Sequence, residues 1–445
     1  MIEIPKPVML AIDILGENGF EGYLVGGCVR DSLLGKVPKD FDITTDALPY
    51  QTAECFAAYR VIETGIKHGT VTVVIEHMPI EITTYRIDGA YNDNRRPDEV
   101  TFSRTIKDDL RRRDFTVNAM AYHPRHGLLD YFGGQDDLQN GVIRCVGAPD
   151  KRFGEDALRI MRALRFSAVL GFKIATETAE SIFKNRSLLR NISVERIAAE
   201  LNGLIVGCDA AAVMGEYGEI IAVFVPEIEP MFGFEQHTRW HVYDVWWHTL
   251  EAIACAPPEL ILRLTMLFHD IGKPPSFSMG EDGAGHFYGH PKVSAEMCGN
   301  ILRRLHYDNA TISTVTTLVK YHDVSVEDNE KSVKRMLNRI GEQNFRRLLE
   351  VKRADSRAQN PDYTAERLRY IEAVQAVTDS VIASAQCFAV KDLAVDGTDL
   401  LELGLRGERV GTALKALLDR VIDGTLENER QMLIDAVKND IMTEK

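Results

Sequence analysis

Residues 23–44 read YLVGGCVRDSLLGKVPKDFDIT, and the fold class turns on this stretch. Tyr23-Leu24-Val25 is a short apolar run that stops at Gly26-Gly27, and Val29 to Leu34 then take up helical spacing. Asp40 to Thr44 returns to a strand pattern. Working outward, Thr70 to Ile75 and Ile80 to Tyr85 are rich in β-branched residues and predict further strands, with a helix over Tyr50 to Tyr59. Beyond about residue 150 the strand signals fade. Asp156 to Val169, Ile192 to Val206, Val242 to Ala254, Leu260 to His269 and most of the chain past Lys292 are helical in period. Pro257-Pro258, Pro274-Pro275 and Gly280 to Gly289 punctuate this part as loops. The expected class is α+β: a mixed head with a small β-sheet, followed by an all-helical remainder.

Three features of the head suit one chemistry. Glycines at 26 and 27 let a phosphate approach the backbone at a helix start, where N–H donors and the dipole favour an anion. Arg30 adds a charge-assisted contact. On a strand, Asp40 and Asp42 point to one face, and adjacent carboxylates repel unless a cation sits between them. Mg²⁺ commonly takes one or two carboxylates plus phosphates. In Ile80-Glu81-Ile82-Thr83-Thr84-Tyr85-Arg86, Glu81 alternates with apolar neighbours and would supply a third carboxylate, able to accept a nucleophile's proton. Taken singly, these are also an ordinary tight turn, a solvated strand edge and a surface acid.

Their order is more specific. G-G-x-x-R-D, D-x-D about ten residues on, and E-I-T-T-x-R resemble the nucleotidyltransferase superfamily, and more narrowly the class II tRNA nucleotidyltransferases (CCA-adding enzymes) with their poly(A) polymerase relatives. Asp108-Asp109-Leu110-Arg111-Arg112-Arg113-Asp114-Phe115-Thr116-Val117-Asn118-Ala119 resembles the family's R-R-D-F-T-x-N-A segment. Asp130-Tyr131-Phe132-Gly133-Gly134 resembles its D-x-x-G-G turn, and Glu155-Asp156-Ala157-Leu158-Arg159 its E-D-x-x-R helix. The resemblance implies a catalytic nucleotidyltransferase head (1–147), a helical neck for base selection (148–206), a helical body (207–385) and a tRNA-binding tail (386–445). It implies Mg²⁺ at Asp40 and Asp42 with Glu81 as third carboxylate, and a triphosphate at Gly27 and Arg30. Arg113 and Asp114 would help hold sugar and phosphates. The expected partners are tRNA, ATP and CTP, with CCA added to the tRNA 3′ end and pyrophosphate released.

Base choice without a template is the unusual demand. Asp156 and Arg159, three apart on the expected helix, would share a face. Asp accepts from an exocyclic amine and Arg donates to ring nitrogens and carbonyls, so the pair suits cytosine and adenine and opposes uracil and guanine. Arg162 and Arg165 extend the basic stripe toward the triphosphate or the tRNA end; the plainer reading is an exposed, ion-paired face. Ile87 to Asp109 reads as a polar loop and resembles the flexible loop that CCA-adding enzymes use when switching from C to A.

A second site is expected in the middle of the chain. His248, then His269-Asp270 in H-D-I-G-K-P, His286 and His290, and His322-Asp323 resemble the HD superfamily of metal phosphohydrolases. Imidazoles and a carboxylate can hold a second divalent metal and activate water, with His248, His269, Asp270, His290 and Asp323 as ligands. The alternative is a helical body reused for RNA binding. The stretch Val390 to Leu400, with Gly404, Gly411 and Asn428-Glu429, looks like the tail of bacterial CCA-adding enzymes that holds the tRNA elbow. A poly(A) polymerase would share the head, and an HD phosphohydrolase with a degenerate head is a further alternative.

Composition bounds these readings. The chain has 445 residues, 45% apolar and 27% charged, ordinary for a soluble globular protein. No apolar run is long enough for a bilayer, and the N-terminus, with Glu3 and Asp13, does not read as a secretory signal. Seven scattered cysteines without C-x-x-C argue against a disulfide framework and fit a reducing cytoplasm. A net charge of −14 opposes binding to a phosphate backbone. The charge is uneven, however: residues 86–196 hold 20 Lys and Arg against 16 Asp and Glu, and the rest hold 32 against 50. A basic cleft within an acidic exterior is therefore expected.

Overall fold

The structure, a computed structural model, describes residues 2–88 and 100–443. The chain forms two compact units, Met1–Pro226 and Glu227–Lys445.

The first unit is built on a seven-stranded sheet. Its strands are β1 (Gly22–Val25), β2 (Asp42–Thr45), β3 (Arg60–Ile62), β4 (Thr70–Ile75) and β5 (Met78–Thr84). After a separate ribbon of β6 (Arg86–Asp88) and β7 (Val100–Phe102), β8 (Met120–His123) and β9 (Gly127–Asp130) complete it in the order β3-β4-β5-β2-β1-β8-β9. Only β2 and β5 pair in parallel; the other neighbours are antiparallel. The alternation of β4 appears in its burial: Val71, Val73 and Ile75 are buried while Thr70, Thr72 and Val74 are half-buried. Leu24, Ile43, Val71, Val73, Ile80 and Ile82 form the sheet core, each adding about 1.5–3 kcal/mol by burial. Helix α1 (Lys6–Glu17) packs on β1 and β4 through its own buried stripe of Val8, Ala11, Ile12 and Leu15.

Short helices connect the strands: α2 (Gly27–Leu33), α3 (Pro49–Cys55), α4 (Ile106–Arg111) and α5 (Gly134–Gln139). The segment read from sequence as a loop over 87–109 is only partly irregular. Ile87 pairs with Thr101 in the β6–β7 ribbon and α4 follows, because Ile87, Val100 and Thr101 favour an extended pairing. Residues 89–99 lie outside the described residues.

The neck departs from the sequence reading in one consequential way. The helix expected from Asp156 to Val169 is α7 (Leu158–Leu170), but it begins two residues late, after a separate helix α6 (Pro149–Glu155) has stopped, and leaves Asp156 outside it. Asp156 takes extended backbone angles (φ −140°, ψ 105°), and its Oδ1 accepts the Leu158 N–H at 3.0 Å, as a cap does at a helix start. Gly171, at φ 70°, ends α7 in the left-handed conformation that glycine tolerates. Helices α8 (Thr176–Asn185) and α9 (Val194–Ile205) follow, and α7 packs on α9.

The second unit is helical apart from a two-stranded pair, Ser278–Met279 with Gly285–His286. Helices Asn309–Tyr321, Glu330–Ile340, Glu342–Ala358 and Pro361–Ala383 enclose a core of Leu318, Val333, Phe345, Leu348, Leu349, Val374 and Val381. The C-terminal segment has its own core, in which Leu393 and Val395 pack with Leu400, Leu417, Leu418 and Leu433.

Candidate active site

The sheet register brings the head's acidic residues together. Asp42, the first residue of β2, lies opposite Glu81 on β5 and opposite Val25, the last residue of β1. Asp40 is exposed and two residues before Asp42, with buried Phe41 between them turned into the core. Burial pushes the Asp42 carboxyl above its ordinary pKa, and the neighbouring charges of Glu81 and Asp40 push it further, against the opposing pull of Arg113. A buried carboxylate whose ionised form is disfavoured by two acidic neighbours belongs to a donor set suited to a hard divalent cation.

The turn after β1 faces this group. Gly26 has φ 74° and ψ −132°, a conformation essentially closed to other residues. A Cβ there would lie 3.0 Å from Arg113 Nη1, so the glycine admits the guanidinium to the turn. Gly27, the residue singled out from sequence, begins α2, and a Cβ on it would meet only ordinary contact, 3.7 Å from Arg30 Nη2. The steric requirement therefore falls on Gly26. Arg113 is held by Asp109, whose buried carboxylate also receives Arg112 and the Thr44 hydroxyl. The Nε of Arg113 is buried without a hydrogen-bond partner.

A chain of ion pairs links head and neck. Arg30 bonds Asp31 and donates to Asn118 Oδ1 at 2.7 Å. Asp114 accepts from the Phe115 N–H, from Asn118 Nδ2 and from Arg162 Nε at 2.8 Å. Burial alone would raise the Asp114 pKa; the Arg162 charge and hydrogen bond outweigh it and hold the group at about 2. Glu200 on α9 takes Arg165 at 2.5 Å and Arg162 at 3.6 Å.

Asp156 and Arg159 do not pair as one helix face. Because the helix breaks at Asp156, its Oδ2 accepts from Arg196 at 2.8 Å. Arg159 is buried and donates to Glu155 Oε2 at 2.7 Å, to the Arg152 carbonyl and to the Arg112 carbonyl. Sequence reasoning gave no role to Asp109, Asn118, Arg196 or Glu200. Asp109 and Asn118 had local signals, their four-residue spacings to Arg113 and Asp114.

The second unit carries a buried histidine cluster. His248, His269, His290 and His322 each turn Nδ1 toward a backbone carbonyl (those of Ala358, Met266, Phe287 and Val319), which leaves Nε2 directed inward. The Nε2 atoms of His248 and His269 lie 3.2 Å apart, and those of His290 and His322 3.3 Å apart. Asp270 sits among all four, Asp355 lies 3.0 Å from His248, and Lys273 bonds Asp270 at 2.7 Å. His241 joins the same group. Asp323, expected as a ligand, is exposed: the helix Asn309–Tyr321 turns His322 inward, and the next residue faces out. His286 stacks on Tyr288 and is not in the cluster. A cavity of about 980 Å³ shares His241, His322 and Asp355 with the cluster and is also lined by Trp240, Lys352, Tyr363 and Arg367.

Comparison with known proteins bears on both units. Residues 22–144 match the Poly A polymerase head domain, 171–231 an RNA and SrmB-binding site of polymerase A, and 287–437 the tRNA nucleotidyltransferase domain 2. The CCA-adding enzyme of Enterococcus faecalis is 32% identical over 443 residues, covering 98% of this chain and 97% of its own. That of Geobacillus thermodenitrificans is 48% identical over 200 residues, a stretch that spans 45% of this chain and about half (49%) of that enzyme. Among solved structures, the Bacillus stearothermophilus CCA-adding enzyme in complex with CTP superposes with a TM-score of 0.74 at 27% identity, covering 99% of each chain. With a relative matched along nearly its whole length and a head whose sheet sets Asp42 against Glu81, the chain belongs to the CCA-adding enzymes.

Proposed function

We propose that the protein adds C, C and A to the 3′ end of tRNA from CTP and ATP without a nucleic-acid template, releasing pyrophosphate. The observation that carries this reading is the Asp42–Glu81 register beside the Gly26 turn and Arg113. Asp40 and Asp42 would hold Mg²⁺, which when bound neutralises the triphosphate and makes the tRNA hydroxyl more acidic. Arg113 and Arg30 bind the phosphates, and the open backbone of Gly26 lets them approach. Glu81 takes the proton of the 3′-hydroxyl as its oxygen bonds to the α-phosphorus and the bond to the departing pyrophosphate breaks. Asp156 and Arg159 read the base edge. A carboxylate offers about four acceptor sites, so Asp156 can receive an exocyclic amine while it keeps Arg196 and the Leu158 N–H. Arg162 and Arg165 support the nucleotide and the RNA end.

The test offers tRNAs ending at the discriminator base, at C and at CC, each with labelled CTP or ATP. Addition that stops at CCA supports the reading; unlimited A addition favours a poly(A) polymerase, and no addition removes both. The scattered cysteines, all free, support a reducing cytoplasm as its location, and among the described residues no helix is long and apolar enough to cross a membrane.

The histidine cluster supports a second metal site. Two imidazole Nε2 lone pairs at 3.2 Å repel each other unless a proton or cation lies between them, and a donor set of imidazoles with carboxylates suits a divalent transition metal. His248, His269, Asp270, His290 and His322 would hold it, with Asp355 in the place assigned to Asp323, and water activated there would cleave a phosphoester. Elemental analysis of protein purified without chelator is expected to find a transition metal that His269→Ala removes. A metal-free protein would leave the cluster a structural network.

A further inference from the structure

Phe166 has no assigned role, yet three of the arginines assigned to the nucleotide converge on it. The guanidinium carbons of Arg30, Arg162 and Arg165 lie 5.1, 5.1 and 4.2 Å from its ring centroid. All three fall inside the roughly 6 Å reach of a cation–π contact. Arg30 comes from the head and the other two from the neck, so a single ring spans 135 residues of sequence. The ring is buried, and Phe115 meets it edge-on at 5.9 Å and 82°. Each arginine also has a polar partner of its own, Asp31, Asp114 or Glu200. Those partners fix one side of each guanidinium; what the three cations share is the aromatic ring.

Like charges gathered this closely repel one another, and the negative faces of the ring offset part of that repulsion. We propose that Phe166 is a positioning residue for the incoming nucleotide, holding Arg30, Arg162 and Arg165 as one preset array against the triphosphate and the RNA end. The proposal rests on the reading that these arginines meet the nucleotide. Phe166 itself touches no substrate; it acts through the spacing of the three cations. An aliphatic side chain of similar volume would fill the same space without this electrostatic hold.

Shape and electrostatics are separated by replacing Phe166 in the full-length protein with mono-, di- and trifluorophenylalanine, which keep the ring while draining its faces of negative potential. The KM for CTP and for ATP is expected to climb stepwise along the series to ~10-fold, with kcat and the melting temperature nearly constant. Phe166→Leu should resemble the most fluorinated ring. Arg165→Gln is assayed alongside. If it raises KM while the fluorinated series stays flat, Phe166 is only packing and the proposal is overturned. If Arg165→Gln also leaves KM unchanged, the reading beneath the proposal fails and takes the proposal with it.

Discussion

Gly26 and Asp114 show how single residues set the terms for the site. At Gly26, φ 74° and ψ −132° exclude a side chain, and the nearest obstacle to one is the Arg113 guanidinium. Gly26→Ala is expected to cost about 1–3 kcal/mol of stability and to raise the KM for both nucleotides, read by thermal melting and steady-state kinetics. Gly27→Ala should change both far less. Asp114 has a pKa held at about 2, below its ordinary 3.8, because Arg162 outweighs burial. Its contribution to stability is therefore complete above pH 4 and is lost as the pH falls toward 2, a span of about 2 kcal/mol. Arg162→Ala should shift the acid-unfolding midpoint of the first unit upward, as followed by circular dichroism. An unchanged midpoint would mean that the pair does not govern the acid limb.

The element scale is where sequence and structure part company most usefully. The pairing of Asp42 with Glu81 was legible because alternation along β2 and β5 fixes which residues share a face, and a parallel register then sets them side by side. The break at Asp156 was not. Asp156 to Val169 carries helical periodicity throughout, and what ends α6 is a side-chain cap and the tertiary pull of Arg196, forty residues away. The second unit repeats the point. His248, His269, Asp270 and His290 were readable as an ordered series, whereas Asp355 comes from a helix with no local mark, and helix geometry put His322 in the cluster and left Asp323 outside. Substitution at the break separates its two roles. Asp156→Asn keeps a capping oxygen but gives up the Arg196 ion pair, so it should lower the melting temperature less than Asp156→Ala does, yet it should relax discrimination against UTP and GTP about tenfold or more. Asp156→Ala should lose both, about 1 kcal/mol in stability. Competition assays with all four nucleotides and a melting curve decide this.

For the whole molecule, the negative total and the nucleic-acid partner are reconciled by position. The stretch 86–196 is net basic while the remainder is strongly acidic, so on the proposed function the phosphate backbone is expected to meet that stretch and to be repelled elsewhere. Affinity for tRNA should accordingly fall only weakly with salt, with few counterions released; filter binding between low and physiological salt measures the slope, and a steep one would mean a more basic surface. Chemistry is expected to depend on the small cluster at the end of β2. The most direct measurement is transfer of labelled AMP to tRNA ending in CC by wild type, Asp40→Ala and Asp42→Ala, with circular dichroism of each. The prediction is a single A added by wild type and none by either variant, with folds intact. Full transfer by a folded Asp40→Ala or Asp42→Ala protein would contradict the account.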